Sequence, residues 1–280
     1  MIRIGSPAWA NALQAGLGAT VSEIDVAAGR HAQLAVFERA GVRVGYADFA
    51  AGTDVLDDQY EEAILAVARR QNVDVVRFQA SCAVKGSARF ARYPLETSLV
   101  PDLKVWDERS LEKPRRTANR LGRTEIEVRR GVPGDAPVLH GLYVETMRRH
   151  SGLLRYTEPY FASLAESAWW LACFEGEIIG FVASARSGDR GFYLHGGHRE
   201  SARHHYPSDI LFLTMLREAK EEGLHSFDFL ASPPQQRSLL NYKRAWGGEP
   251  HPIVVSDRAL GWRGRMFTFA YAGLTRLKRR

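Results

Sequence analysis

The feature that most constrains the fold is a stretch of three strand-like runs divided by two tight turns. It reads WWLACFEGEIIGFVASARSGDRGFYLHGG (169–197), and its turns are Glu175-Gly176 and Ser187-Gly188-Asp189. Runs joined by such short turns pair in antiparallel fashion, because a parallel pair needs a crossover of a dozen or more residues. The stretch therefore predicts an antiparallel meander.

Strand-like and helix-like runs surround the meander in a regular order. EIEVRRG is a strand, and two helices follow it, the second opening near Pro159, where a first helical turn tolerates proline. After the meander, PSDILFLTMLREAKEEG is an amphipathic helix with Ser208 or Asp209 as the expected N-cap and Gly223 as the stop. A strand (HSFDFLA), a polar loop with a short helix, and a last strand (PIVVS) complete the unit.

The N-terminal third contains a shorter version of this order. QLAVFERAGVRVGYADF holds two strand-like runs around the turn Arg39-Ala40-Gly41, DDQYEEAILAVARRQN is a helix with one apolar face, and VDVVRFQAS is a strand. ETSLVPDL is a further strand. The two halves share no sequence-level repeat, so a duplication is inferred from element order alone.

These patterns predict four segments. Residues 1–112 form a short N-terminal domain, 113–124 a basic connecting helix ending near Gly122, 125–258 the larger domain, and 259–280 a basic amphipathic tail. The tail mixes large apolar and basic side chains, so it either rests on an anionic membrane or packs on the protein core. The second arrangement is the commoner one for such a helix.

Composition narrows the class of protein. Of the 280 residues 45% are hydrophobic and 25% charged, and no run approaches the roughly 18 apolar residues needed to cross a bilayer. We expect a cytoplasmic protein, at most peripheral at the inner face of the membrane. Cys82 and Cys173 lie far apart, which argues against a disulfide framework or a zinc site. The net charge of +6 favours anionic partners.

Five segments carry a family resemblance. They are RRTANRLGRTEIEVRRG, LYVETMRRHSG, the meander, PSDILFLTMLREAKEEGLHSFDFLAS and LLNYKRAWGGEPHPI. In this order they resemble the Fem-type peptidyl transferases and BioF2-like acyltransferases of the GNAT superfamily. The resemblance implies an α+β fold of tandem GNAT-like domains, with mixed, largely antiparallel sheets flanked by helices and a groove between them. Characterised members move an amino acid from aminoacyl-tRNA to the amine of a cell-wall peptide precursor, which implies acyl transfer here.

The glycine-rich turn that binds coenzyme A in enzymes of this fold is missing. That turn has the form Q/R-x-x-G-x-G/A and precedes the helix whose N-terminus binds pyrophosphate, whereas this sequence reads ESARHHYPSD. Without glycine, the backbone cannot readily approach a phosphate. The sequence favours an activated donor other than acyl-CoA and predicts no cofactor, but it leaves the choice between aminoacyl-tRNA and acyl-CoA open.

Lys243, Tyr242 and Asp228 are the candidate catalytic residues. Lys243 would stabilise the oxyanion of acyl transfer, and the family pattern has a lysine at this position; alternatively, its head reaches a surface carboxylate. Tyr242 either contacts the acyl group or packs beside Trp246. Asp228 either accepts the proton of the attacking ammonium or anchors the neighbouring loop through backbone N–H groups.

Four arginines are candidates for binding an anionic substrate. Arg149, at a position where the family pattern has an arginine that meets substrate phosphate, could act with Arg155, because a guanidinium pairs bidentately with phosphate oxygens. Arg116 and Arg120 could attract a polyanion such as a tRNA acceptor stem. The alternatives are a solvated helix face for the first pair and acidic neighbours for the second.

Tyr193 and His195 are the remaining substrate-binding candidates. They alternate on GFYLHGG, which predicts that they share one face of a strand, and the matching strand of the family lines the acceptor groove. Core packing with one hydrogen-bonded histidine is the alternative.

The sequence thus predicts an acyl- or aminoacyltransferase that acts on an amine of a cell-envelope or exopolysaccharide-related precursor. Two alternatives remain open. One is a non-catalytic double-GNAT module that binds a polyanion or membrane surface in envelope biosynthesis, and the other is a CoA-dependent small-molecule N-acetyltransferase.

Overall fold

The computed structural model describes residues 1–27, 30–53, 56–150, 152–164, 168–232 and 236–277. Within them the strands are β1 (Ile2–Arg3), β2 (Thr20–Ala27), β3 (Arg30–Arg39), β4 (Val42–Ala47), β5 (Val75–Ala80), β6 (Arg92–Val100), β7 (Glu127–Arg130), β8 (Trp169–Phe174), β9 (Glu177–Ser187), β10 (Arg190–His198), β11 (Ser226–Ala231) and β12 (Glu249–Ala259). The helices are α1 (Pro7–Leu17), α2 (Asp58–Arg70), α3 (Glu112–Leu121), α4 (Ala136–Arg149), α5 (Glu158–Ser163), α6 (Pro207–Glu221), α7 (Arg237–Arg244) and α8 (Trp262–Leu277).

The chain forms two compact units. Unit 1 consists of Met1–Leu17 and Thr97–His251, and unit 2 of Gly18–Glu96 and Pro252–Arg280. No helix among the described residues is long and apolar enough to cross a membrane.

The sheet of unit 1 contains the expected meander. β7, β8, β9 and β10 pair in antiparallel fashion with their sequence neighbours, and β10 pairs in parallel with β11. The parallel step is made by α6, which supplies the long crossover that such a pair needs. β11 then pairs in antiparallel fashion with the end of β6.

Both faces of this sheet are covered. On the α6 side, Phe227, Phe229 and Trp246 are fully buried in one apolar cluster. On the opposite side α1, α4 and α5 pack, and Gly16 of α1 lies so close to α5 that an added Cβ would come within 2.1 Å of Tyr160 Cβ. This close approach explains why the first 17 residues belong to unit 1.

Unit 2 repeats part of the same plan. β2, β3 and β4 form an antiparallel meander, α2 crosses over, and β5 pairs in parallel with β4. β12 adds to β5 in antiparallel fashion. Unit 1 has the same succession in β8–β10, α6 and β11, so the structure confirms the shared element order on which the duplication was inferred.

The compact units do not coincide with the predicted segments. α1 packs in unit 1, and the C-terminal strand and helix pack in unit 2, because the chain passes from one unit to the other at residues 17–18, 96–97 and 251–252. The basic helix α3 ends at Leu121 with Gly122 as its C-cap, as expected, but it lies inside unit 1. Residues 278–280 of the predicted tail lie outside the described residues.

The start of α6 also differs from the prediction. Tyr206, in the left-handed region with φ 56°, is the N-cap in place of Ser208 or Asp209, and Pro207 occupies the first helical position. A 3-10 turn from Glu200 to His205 precedes it. Proline at the first helical position has no N–H to satisfy, which favours the earlier start.

Candidate active site

β10 and β11 stop pairing after three residue pairs. The pairs are Arg190–Ser226, Gly191–Phe227 and Phe192–Asp228; thereafter β10 continues to His198 beside β9, and β11 pairs with β6. Beyond that point the facing edges have no ladder partner in the part of the chain that the structure describes. Backbone N–H and C=O groups released in this way can bind an extended ligand.

The second half of β11 contains an irregular turn of the backbone. Its register with β6 shifts between Asp228 and Ala231, and Leu230 has a φ of 60°. A left-handed conformation costs a non-glycine residue about 1 kcal/mol or more, so it persists only where neighbours hold it. One of these is Asp228, whose Oδ1 accepts a hydrogen bond of 2.7 Å from Leu230 N.

Lys243 is the second group that holds this turn. The residue is only 3% exposed, and its Nζ donates a hydrogen bond of 2.8 Å to the carbonyl oxygen of Leu230. Burial lowers the pKa of Lys243 to about 8, an effect that the negative charge of Asp228 opposes. The side chain is therefore an inward-facing cation at neutral pH, and the alternative of a lysine that meets a surface carboxylate is wrong.

Asp228 lies beneath the same turn on the face opposite its phenylalanine neighbours. It is 4% exposed, and its Oδ2 is 4.0 Å from a guanidinium nitrogen of Arg190. Burial raises the pKa of Asp228 above its usual range, while Arg190 and the bond from Leu230 N oppose the rise. The carboxylate anchors the local backbone, which is one of its two predicted roles, and its raised pKa also suits proton transfer.

Tyr242 points away from this pair, towards the apolar cluster. Its hydroxyl donates a hydrogen bond of 2.9 Å to Asp209 Oδ1, and its ring packs against Phe212 and Trp246. Burial, reinforced by Asp209, raises the pKa of Tyr242 well above its usual value. The tyrosine has the packing arrangement that was its alternative interpretation, and it joins α7 to the start of α6.

Tyr193 and His195 lie on opposite faces, so the prediction that they share one is wrong. The register of β10 with β9 shifts between them, and such a bulge adds one residue and inverts the alternation. Tyr193 packs on Phe212, with ring centroids 5.1 Å apart, on the α6 side. On the other side, a 2.8 Å hydrogen bond joins His195 Nε2 to the Tyr160 hydroxyl.

Burial sets the ionisation of both residues. It lowers the pKa of His195 to about 3, so the imidazole is neutral at physiological pH. It also raises the pKa of Tyr193. His195 is held as an uncharged hydrogen-bonding group, and Tyr193 as an uncharged phenol.

Arg149 is already paired with carboxylates. One of its guanidinium nitrogens bonds to Glu200, and Glu145 lies 3.9 Å away. An anion bound by Arg149 would have to compete with these two groups. Arg155 is exposed, and its backbone N–H donates a hydrogen bond of 2.9 Å to the Tyr143 hydroxyl of α4.

The arginines of α3 differ from each other in their surroundings. Arg116 is exposed and forms an i,i+4 ion pair of 3.0 Å with Glu112. Arg120 stacks 3.6 Å from the ring centre of Tyr206 and lies 3.9 Å from Asp209. Acidic neighbours, the alternative interpretation, are therefore present for both.

Asp209 connects several of these groups at the start of α6. It is 6% exposed and accepts hydrogen bonds from Tyr242 and, at 2.7 Å, from Lys113 Nζ. A carboxylate in the first turn already interacts with the positive end of the helix dipole. Pyrophosphate binding at this helix end would place two like charges together, which agrees with the missing glycine-rich turn.

Sequence reasoning missed three contributors to the site. Leu230 carries the left-handed backbone, Arg190 faces Asp228, and Tyr160 holds His195. No local sequence pattern predicts that a leucine adopts a positive φ. Arg190 opens a strand directly after a turn and pairs with Ser226, and its diagonal approach to Asp228 follows only from the parallel register of β10 and β11.

Metal ligation has no support in the described ranges. Among these residues no group of three or more His, Cys, Asp or Glu side chains is placed to hold a metal ion.

Comparison with known proteins gives one family match. Residues 108–244 match the acetyltransferase (GNAT) domain family. This range covers the meander, α6, β11 and α7, and therefore the whole turn around Lys243. No curated protein matches the chain.

Several solved structures resemble the chain along most of its length. The C-terminal domain of a candidate lysylphosphatidylglycerol synthetase from Agrobacterium fabrum has a TM-score of 0.62 at 15% identity, covering 97% of this chain and 93% of that one. FemX has a TM-score of 0.61 at 13% identity, covering 89% and 90%. L-PGS from Bacillus licheniformis has a TM-score of 0.56 at 15% identity, covering 96% and 98%. At these identities the likeness concerns the fold alone.

Proposed function

We propose that this chain, whose residues 108–244 match the acetyltransferase (GNAT) domain family, moves an acyl or aminoacyl group to an amine of an anionic cell-envelope or exopolysaccharide-related precursor. In this proposal Lys243 stabilises the transition-state oxyanion. Asp228 takes the proton of the attacking ammonium. The observation that carries the proposal is the buried ammonium of Lys243 at the irregular turn that follows the separation of β10 from β11.

The chemistry requires a fixed cation near a developing negative charge. Attack of an amine on an ester or thioester carbonyl places negative charge on the carbonyl oxygen, and a preorganised donor beside it is worth a few kcal/mol of barrier. An ammonium has three N–H groups, and the carbonyl of Leu230 takes one of those of Lys243. The bond fixes the position of the head and leaves donor capacity for a substrate oxygen.

Transfer forms a C–N bond and breaks the C–O or C–S bond to the donor, and the proton that Asp228 takes from the amine passes to the departing oxygen or sulfur. Asp228 is buried, its pKa is raised, and its charge acts on Lys243. A carboxylate with a raised pKa is a stronger base than an exposed one, and it accepts a proton more readily at neutral pH. His195, which stays neutral, would serve as a hydrogen-bonding group on the acceptor side.

The anionic character of the substrate rests on the arginines. Arg155 and Arg116 are exposed and lie on the same unit as Lys243. Arg149 and Arg120 are engaged with carboxylates, so they would contribute by exchanging those partners for a phosphate. We assign Arg155 and Arg116 to first contact with the polyanion, and Arg149 and Arg120 to the bound state.

An aminoacyl donor is favoured over acyl-CoA. The start of α6 lacks glycine, and Asp209 already occupies its first turn. One structural neighbour is named for lysylphosphatidylglycerol, a phospholipid that carries an amino acid. Envelope precursors are assembled on lipids or nucleotides at the inner face of the membrane, and the proposal places the protein there.

Transfer of a labelled acyl group tests the proposal directly. Purified protein is mixed with a lipid-linked peptide precursor and with either tRNA charged with labelled amino acids or labelled acetyl-CoA. The comparison includes Lys243→Met and a matched control, Lys220→Met, whose Nζ also bonds to backbone carbonyls but lies at the exposed end of α6. We expect transfer from the charged tRNA, a loss of about 100-fold or more in Lys243→Met, and a change under about twofold in the control.

Three other outcomes would each contradict a part of the proposal. Equal transfer by Lys243→Met and wild type would refute the role of the lysine. Transfer from acetyl-CoA but not from charged tRNA would show that the donor is an acyl-CoA rather than an aminoacyl-tRNA. Binding of tRNA or precursor, seen as a rise in melting temperature, without transfer from either donor would favour a non-catalytic binding module.

A further inference from the structure

The last helix, α8, has its burial pattern inverted. Its buried positions are small or polar: Gly264, Thr268 and Ala272. Most of its large apolar residues face outward, with Trp262 71% exposed and Phe269 72% exposed, whereas Phe267 is half-buried. A surface helix of a globular protein normally does the reverse.

Close packing explains why the inner face is small. A Cβ added to Gly264 would come within 2.0 Å of the carbonyl oxygen of Asp74, so the helix backbone lies directly on the edge of unit 2. Thr268 and Ala272 follow at intervals of four and continue this face along the helix. The seating of α8 uses these small residues together with Tyr271, whose ring contacts Tyr93 and Arg77, and it leaves Trp262 and Met266 largely exposed.

The outward residues form one row. At about 100° per residue, Trp262, Met266 and Phe269 fall within about 60° of arc. Met266 is 63% exposed, and Leu274, farther round the helix on the side of Arg263, is 59% exposed. Phe90, itself 37% exposed, extends the row by an edge-to-face contact with Phe269 at 5.9 Å.

The charged residues that follow Leu260 have one sign. From Gly261 to Arg280 the sequence contains six basic residues and no acidic one. Arg263 and Arg265 project to opposite sides of the row at the same angular spacing. Arg263 reaches Gly41 O and lies 3.9 Å from Asp74, whereas no ion pair of Arg265 is recorded within the described ranges.

We infer that α8 is a membrane-docking helix that lies on an anionic lipid bilayer, with the row Trp262, Met266 and Phe269 inserted between headgroups. The helix is 16 residues long and so extends about 24 Å in the membrane plane. An apolar row with tryptophan at its end, flanked by arginines, matches the layered polarity of a bilayer surface. A protein partner would need acidic groups around an apolar groove, whereas an anionic bilayer presents both features continuously.

The inference extends the proposed function, since an envelope precursor would be met at a membrane, but vesicle binding is measured without turnover. A failure of vesicle binding would therefore not refute acyl transfer, and a failure of transfer would not refute membrane docking. The assay is co-sedimentation with vesicles of phosphatidylcholine alone and of phosphatidylcholine with phosphatidylglycerol. The variants are Met266→Glu/Phe269→Glu, Arg265→Glu, and the control Val105→Glu, a residue 77% exposed in unit 1.

We expect wild type and Val105→Glu to bind the anionic vesicles, the double variant to bind at least about tenfold more weakly, and Arg265→Glu to lose about fivefold. Circular dichroism should show unchanged folding, because all these side chains are exposed. The emission of Trp262, isolated by comparison with Trp262→Phe, should shift to the blue on binding, since the tryptophan leaves water.

Two results would overturn the inference. Binding of the double variant equal to wild type would show that the row is not the docking surface. Absence of vesicle binding by wild type would refute membrane docking, and self-association that the double variant abolishes would then assign the row to contact between copies of the chain.

Discussion

Replacing Lys243 with methionine should stabilise the protein at neutral pH. The lysine is buried, and its pKa falls from 10.5 to about 8. This depression corresponds to about 3 kcal/mol of unfavourable free energy for keeping the ammonium inside. Methionine fills a similar volume without charge, but it loses the bond from the ammonium to the Leu230 carbonyl, worth about 2 kcal/mol because the donor is charged. We expect a net gain of about 1 kcal/mol at pH 7.

The gain should shrink as pH rises. Because the folded-state pKa of Lys243 lies below the unfolded value, the folded chain loses the proton at a pH where the unfolded chain still holds it. Wild-type stability therefore rises between about pH 8 and 10.5, and Lys243→Met has no such contribution. From pH 7 to pH 9 the difference between variant and wild type should narrow by about 1.4 kcal/mol.

Urea unfolding followed by tryptophan fluorescence measures this difference. Every tryptophan except Trp262 lies in unit 1, so the signal reports on the unit that contains Lys243. Lys220→Met is the control; it removes a lysine at the surface and should lower stability slightly through its lost carbonyl bonds.

Two results would refute this reasoning. A variant less stable than wild type by about 2 kcal/mol at pH 7 would mean that the bond to Leu230 outweighs the cost of burial. A difference that is the same at pH 7 and pH 9 would mean that the ammonium is not desolvated. A confirmed gain, with transfer lost, would show that stability is sacrificed for a functional charge.

Three further expectations follow from the same contacts. The rate of acyl transfer should fall as pH rises through about 8, because Lys243 then loses its charge; a pH–rate profile with no loss on the alkaline side would contradict this. Gly16→Val should destabilise unit 1 by about 1–3 kcal/mol in urea unfolding, since its Cβ would overlap Tyr160, whereas an unchanged midpoint would show that α1 can move away from α5. Tyr242→Phe should cost about 1 kcal/mol by removing the bond to Asp209 while changing transfer less than about tenfold; a loss as large as that of Lys243→Met would instead give the hydroxyl a part in catalysis.

Local patterns were sufficient for most of the elements. The meander followed from alternating apolar runs and two short turns, and α6 from its amphipathic spacing, because both signals depend on neighbours within a few residues. The ends of helices were predicted less exactly where two local sequence signals competed. At the start of α6, Pro207 moved the first helical position ahead of the expected Ser208 or Asp209.

The candidate site was only partly accessible from the sequence. The resemblance drew attention to Lys243, and the strand pattern correctly placed Asp228 opposite its phenylalanine neighbours. The bulge in β10 then separated Tyr193 from His195, because one extra residue reverses every later side chain of a strand. Arg149 forms an ion pair with Glu200, which is 51 positions away, and patterns within a few residues of Arg149 do not predict such a contact.

The sequence by itself determined the succession of strands and helices and the chemical types available for a site, because periodicity, turns and caps act over short distances. Only the tertiary structure decided that Lys243 is buried rather than exposed and that α1 belongs to unit 1. It also decided that α8 turns its large side chains outward. Burial and long-range pairing depend on which distant segments pack beside a residue. The sequence within a few residues of that position does not determine which segments these are.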